Sequence, residues 1–209
     1  EKWWNTKYAK SIKVTSLSDA DARLTCQIIK KDITRYGFSG YLVDTFKLSI
    51  DNGNNDAFWM SLVKDTRNLT EIAMKYNVIG LMTVQLALSS LNRCWIDASC
   101  LSNSKAIKET LSNLIMFRKV TDMELDPSSP YFIHPFRHKQ KEDGTWIEEE
   151  YLPDRSKVWR LFFIDKSRRG ADSNDTGIAY LVRYDGDFCC FYETCKCRPT
   201  HKLINTEGR

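Results

Sequence analysis

Apolar positions in the first third of the chain recur first at helical spacing and then in short runs. Ala20, Leu24, Ile28, Ile33 and Tyr36 predict a helix over about 19–36, opened by a Ser18/Asp21 capping-box spacing and stopped by Gly37 and Gly40. Residues 12–14 read as a short strand before it. Tyr41-Leu42-Val43-Asp44-Thr45-Phe46 is an apolar run holding one acid, which reads as a buried strand. The stretch 51–56 is turn chemistry throughout. Phe58, Leu62, Leu69, Ile72, Ala73 and Tyr76 then mark one face of a second helix. Residues 78–86 lack alternation, which predicts a strand buried on both faces. Helix, strand, helix, strand in this order predicts a parallel sheet with crossover helices.

The pattern changes further on. A polar stretch over 87–103 precedes a short helix near 104–112 and a strand over 114–117. Residues 119–156 hold four of the five prolines and a charged patch, and read as a long loop or insertion. Strands are predicted over 158–164 and 177–184, and Asp185-Gly186 signals a type I′ hairpin into a strand over 188–192. The fold class is therefore α/β, with a largely parallel central sheet and a C-terminal antiparallel hairpin. One domain is expected over 1–194, with a tail over 195–209.

Composition excludes little. Of 209 residues, 42% are hydrophobic and 28% charged, which rules out disorder, collagen and coiled coil. Lys+Arg less Asp+Glu is 31 − 27 = +4, compatible with a nucleic-acid partner without identifying one. No run approaches the ~18 apolar residues of a membrane span. The first residues lack the apolar region of a signal peptide, and the start without Met suggests a piece of a larger protein. Seven cysteines, an odd number irregularly placed, are expected to be reduced thiols in an intracellular protein. Asn68-Leu-Thr and Asn174-Asp-Thr match glycosylation sequons, a pattern that arises by chance. His134 and His138 have a metal-like spacing, but with His201 as the one further histidine they do not make a zinc site. Cys189, Cys190, Cys195 and Cys197 read as buried or free thiols.

Three features carry candidate chemistry. Asp44 ends a buried strand, where open α/β sheets place ligands and where phosphate-loop ATPases keep an acid that holds magnesium through water. Elsewhere such an Asp caps a turn. Gln85 lies at the end of the next strand, where an amide can sense a phosphate or water, or bond neighbouring backbone. Lys166 and Arg168 flank a turn after a strand and project the same way if strand geometry persists, offering a point charge and a planar fork to phosphate. A solvated basic turn has the same sequence.

Their order is more specific than any one of them. The stretch Asn77-Val-Ile-Gly-Leu-Met-Thr-Val-Gln85-Leu86, after a helix ending Glu71-Ile-Ala-Met-Lys-Tyr, resembles the "ELNVPVIALSQL" segment of DnaB-type replicative helicases. Tyr41-Leu-Val-Asp44-Thr-Phe-Lys-Leu48 resembles their Walker B strand, "IVVDYLQL". Leu101-Ser-Asn-Ser104-Lys-Ala-Ile107, then Leu111-Ser-Asn-Leu-Ile-Met-Phe-Arg118, is similar to "LRESGSIEQDADLIMFLYR". Phe163-Ile-Asp-Lys166-Ser-Arg168-Arg-Gly170 with Gly177-Ile-Ala-Tyr-Leu is similar to "IAKQRNGPTGTV". The four blocks follow the family's order across most of residues 12–193.

The resemblance implies a RecA-like ATPase that forms a hexameric ring around single-stranded DNA and unwinds duplex DNA using ATP and Mg2+, with a primase and a helicase loader as further partners and no membrane. It implies a Walker B role for Asp44, a sensor role for Gln85, and a trans contact to a neighbour's γ-phosphate from Lys166 and Arg168, with Arg168 as arginine finger. It places DNA-contacting loops at Asn52, Gly53 and Asn54 and at Ser102, Asn103, Ser104 and Lys105. Such divergence suits a phage or mobile element. The family's Arg, Glu and Gly at the second loop are replaced by Ser102, Asn103 and Lys105. No Gly-x4-Gly-Lys-Ser/Thr occurs, and none of the nine glycines is followed by Lys. Two other readings stand beside this one: a degenerate RecA-like DNA-binding or loader module without ATPase, and a filament-forming recombinase-type ATPase.

Overall fold

The computed structural model describes residues 11–17, 22–44, 55–84, 86, 90, 92–101, 104–187 and 190–203, with backbone alone for 55–62 and 104–106. The chain divides into two compact units, Glu1–Val84 and Gln85–Arg209, where the sequence suggested one domain to 194. No described helix is long and apolar enough to cross a membrane.

In the first unit α1 spans Ala22–Tyr36. It ends as expected at Gly37, whose φ of +67° carries its N–H back to the carbonyl of Ile33 at 2.9 Å. The buried positions are Cys26 and Ile33, while Leu24 and Tyr36 are exposed. The buried stripe is thus rotated from the predicted one, because Cys26 packs as a small hydrophobe. Residues 12–14, predicted as a strand, form none in the structure, and the Ser18/Asp21 cap lies outside the described residues.

Strands β1 (Gly40–Val43) and β2 (Ile79–Met82) pair in parallel, Gly40 opposite Ile79 through Val43 opposite Met82, with α2 (Asn55–Tyr76) as the crossover. This is the predicted β-α-β unit. Leu69 and Ile72 bury as expected. The tyrosine of β1, Tyr41, reaches across β2 and donates to the carbonyl of Leu69 on α2 at 2.6 Å. Gly80 makes room for it: a Cβ there would lie 2.5 Å from the Tyr41 hydroxyl. The expected two-sided burial of the second strand is not found. Ile79 is 69% and Leu81 57% exposed, because the described sheet of this unit has two strands and too little surface to cover both faces.

The second unit holds a six-stranded sheet, in spatial order β3-β6-β7-β8-β4-β5. Its strands are β3 (Asn113–Lys119), β4 (Phe136–Gln140), β5 (Trp146–Glu150), β6 (Val158–Ser167), β7 (Ala179–Asp185) and β8 (Cys190–Cys197), with the short helices α3 (Ser104–Thr110) and α4 (Ser173–Thr176). Every pairing is antiparallel. The largely parallel central sheet of the sequence reading is therefore corrected: among the described residues the parallel part is β1 and β2, and the larger sheet is antiparallel. The physical sign is alternation. In β6, Trp159, Leu161, Phe163 and Asp165 are buried while Arg160, Phe162 and Ile164 are half-buried, the period of a strand with one covered face.

Residues 119–156 are also more ordered than a loop. A 3₁₀ turn at Asp122–Leu125 leads to the β4–β5 hairpin, which closes at Gly144 with φ +85°. The β7–β8 hairpin forms where Asp185-Gly186 predicted it, but Asp185 is itself paired, with Cys190, and is not a turn residue; residues 188 and 189 of the predicted strand lie outside the described residues. β8 continues to Cys197, beyond the expected start of a tail at 195.

Candidate functional site

In the first unit the candidate chemistry sits at the carboxyl end of the parallel pair. Asp44 follows the last residue of β1 and is exposed. Thr83 follows β2, donates its N–H to the carbonyl of Val43 at 3.1 Å, and donates its hydroxyl to Asp44 Oδ1 at 2.8 Å. The parallel register thus orients the carboxylate, with one oxygen held by a neighbouring strand end. Gln85, two residues beyond Thr83, lies outside the described residues, as do Asn52, Gly53 and Asn54. Tyr41, beneath this edge, is pushed up to about 12 by burial.

In the second unit Lys166 lies near the end of β6, and its Nζ donates to the carbonyls of Lys108 and, at 3.1 Å, Glu109, in the last turn of α3. A cation on the free carbonyls of a helix C-terminus stabilises that end. Lys108 answers with its own ammonium, 3.1 Å from Oδ2 of Asp165, which is 1% exposed. Oδ1 of Asp165 accepts from Asn174 Nδ2 at 2.8 Å, and Asn174 Oδ1 accepts from Trp95 Nε1 at 3.0 Å. The second sequon asparagine is thus part of an internal network. Arg168 is exposed beyond the end of β6, on the bend 168–170. Strand geometry stops at Ser167, so Lys166 and Arg168 do not project as a pair; one clamps α3 and the other points into solvent. Ser102 and Asn103 lie outside the described residues, and of Ser104 and Lys105 the backbone alone is described, as the first turn of α3.

A buried charge network was missed in the sequence. Glu124 is fully buried and is held by both Nη atoms of Arg118, by the N–H of Thr121 at 2.9 Å and by its hydroxyl at 3.0 Å. Arg118 also donates to the carbonyl of Cys94, through Nε at 3.1 Å and through Nη2. The Thr121-x-x-Glu124 spacing is a capping box readable in the sequence, hidden by reading 119–156 as loop. Cys94 lies against this carboxylate, and burial first, then Glu124, pushes its thiol up to about 11. An open cavity of ≈ 350 Å³ beside the network is lined by Leu86, Ser90, Ile96, Arg118, Thr121 and Asp122 among others.

No family model matches the chain, and no curated protein does.

Cys195 and Cys197 are buried on β8, and Cys190 is exposed. Burial pushes Cys195 up to about 12 and Cys197 well above its ordinary value. His134 packs edge-on against Phe132 and His138 against Phe136, with His138 Nε2 3.8 Å from Glu148. Among the described residues no cluster of three or more His, Cys, Asp or Glu could hold a metal ion. Asp44 suits a different kind of metal contact. A single exposed carboxylate at a strand end can orient a magnesium ion through water, because Mg2+ keeps most of its hydration shell. A nucleotide's phosphates would still need the backbone cradle that no glycine-rich loop of this sequence supplies.

Proposed function

We propose that the chain is the C-terminal part of a RecA-like motor in a ring-forming, ATP-dependent replicative DNA helicase of DnaB type. The observation that carries this reading is the Asp44–Thr83 contact at the carboxyl edge of the parallel pair. The stretches that resemble the Walker B strand and the sensor strand are neighbours in one sheet, with the acid at the ligand edge. Asp44 would orient Mg2+, which when bound with ATP neutralises charge on the phosphates. Gln85 would sense nucleotide state, and the loops at 52–54 and 102–105 would hold the phosphates of single-stranded DNA without reading bases. Arg168, exposed past β6, would reach a neighbour's γ-phosphate, while Lys166 supports the helix behind the second DNA loop.

The test is Arg168→Ala in the full-length, assembled protein. A trans-acting arginine contributes about 10³–10⁵ in rate, so DNA-stimulated ATP hydrolysis should fall by at least about a thousandfold while nucleotide binding and ring assembly persist. Hydrolysis at the wild-type rate would remove Arg168 from the mechanism. A second reading, a DNA-binding or loader module without ATPase, is favoured by the missing phosphate-loop motif. It predicts that the full-length protein binds DNA but no fluorescent ATP analogue.

A further inference from the structure

One face of the six-stranded sheet carries a row of half-exposed aromatic rings. Directly paired residues of antiparallel strands share a face. Phe117 of β3 is opposite Phe162 of β6, and Tyr184 of β7 is opposite Phe191 of β8. The pairing of Val158 with Tyr184 and of Lys119 with Arg160 places both sets on the same side. The rings are contiguous: Phe117 to Phe162 is 5.4 Å between centroids, Phe162 to Phe191 5.3 Å, and Phe191 to Tyr184 5.0 Å. Phe117 is 53% and Phe191 48% exposed, while Val182, on the same face between them, is buried.

The charge beside the β3 and β6 side of the row is positive. Lys119 flanks Phe117, and the guanidinium of Arg160 lies 5.5 Å from the centre of the Tyr184 ring. Toward β8 and β4 the charge is mixed: Lys196 is opposite Tyr180, but Glu193 is opposite Val182, and through the pairing of Lys196 with Phe136 the same face carries Glu150 and Glu148. Rings that offer π surface, spread over adjacent strands and bordered by cations, fit nucleobases stacked on the sheet with phosphates at the Lys119 and Arg160 side. An aliphatic docking face would need neither the run of rings nor the two cations, Lys119 and Arg160, set beside them.

We infer that this face is a stacking platform for single-stranded nucleic acid. Its residues are other than those at 52–54 and 102–105, and it does not depend on ATP hydrolysis. It binds without base preference, since every base has a π face.

The test uses the full-length protein with a fluorescent oligo-dT strand and a photoreactive version carrying 5-iododeoxyuridine. Cross-links should map to Phe117, Phe162, Tyr184 or Phe191. The double variant Phe117→Leu/Phe191→Leu, which keeps apolar bulk and removes the rings, should raise the Kd for oligo-dT by about tenfold or more with an unchanged unfolding midpoint. The cross-linking arm needs no variant, so it holds even where the double substitution misfolds. Cross-links confined to 52–54 or 102–105 overturn the platform and leave the helicase reading intact. Cross-links on the rings in a protein that hydrolyses no ATP support the platform and count against the helicase. Rings that stay uncross-linked at saturating oligo-dT, including because sedimentation shows a second copy covering them, overturn it as well.

Discussion

Glu124 and Arg118 form an ion pair in which the carboxylate has no exposure and the guanidinium side chain 11%. Desolvation of two such charges is repaid only if the remaining lone pairs are used, and here Thr121 uses them on Glu124 and the Cys94 carbonyl accepts the other donors of Arg118. Removing one partner leaves the other charge buried and uncompensated. Arg118→Met should therefore cost about 3–5 kcal/mol of unfolding free energy, read from urea denaturation, and a loss under 1 kcal/mol would show that Glu124 finds another partner. The capping half of this network was legible in the sequence, because Thr121 and Glu124 are three apart. The Arg118 half was not, because that contact depends on where β3 ends relative to the turn that follows. The same holds for Asp44: its place at a strand end could be read, but its Thr83 partner, 39 residues on, follows from the strand register alone.

Elements were legible where one face of each pairs with its own period, and less so where pairing direction decides. Both helices of the first unit, the β1–β2 pair and the β7–β8 hairpin were foreseen. The antiparallel set of β3 against β6 was not, because the two strands are far apart in sequence and no tight turn joins them. The hairpin of β4 and β5 was masked by prolines and charges, whose polar pattern is that of exposed strands: His138 faces Glu148, and Lys139 reaches Glu149 at 3.1 Å. The α3–β6 clamp belongs at this scale, since Lys166 and Asp165 are neighbours on β6 that grip opposite ends of one interaction, the α3 carbonyls and Lys108. Lys166→Met removes the cation from the helix C-terminus and should cost about 1 kcal/mol. The specific sign is faster hydrogen exchange at the Leu111 amide, which donates to the Ile107 carbonyl at 3.2 Å, with the β6 and β7 amides unchanged. Equal acceleration in the sheet would mean that Lys166 supports the whole unit and not the helix end.

At the scale of the molecule, the sequence showed a β-α-β beginning and an antiparallel end, but not that these divide into two units at residue 84, because contact density, unlike period, leaves no local mark. Both units share one electrostatic property. Cys26 and Tyr41 in the first, and Cys94, Cys195 and Cys197 in the second, are acids held above their ordinary values chiefly by burial. Each folded-state value exceeds the unfolded one, so over the interval between them the native state binds more protons than the unfolded chain, and stability falls as pH rises. The thiol contribution is fully present below the ordinary value of 9.0 and is lost from there to about 11 for Cys94 and about 12 for Cys195. The acid side runs the other way. Asp126, Asp143 and Asp154 are held below their ordinary 3.8 by hydrogen bonds from Ser128, Thr145 and Ser156, so their contribution is present above that value and is lost as pH falls through the lowered one. Asp143 and Asp154 are exposed and Asp126 is half-buried, whereas Cys94 and Cys195 are buried, so the alkaline limb should be the steeper. Urea midpoints measured at pH 3, 7, 9 and 10.5 should be highest at 7, with the drop from 9 to 10.5 greatly reduced in a Cys94→Ala/Cys195→Ala variant compared with its own midpoint at pH 7. A drop of the same size in that variant would assign the alkaline loss to groups other than these two thiols.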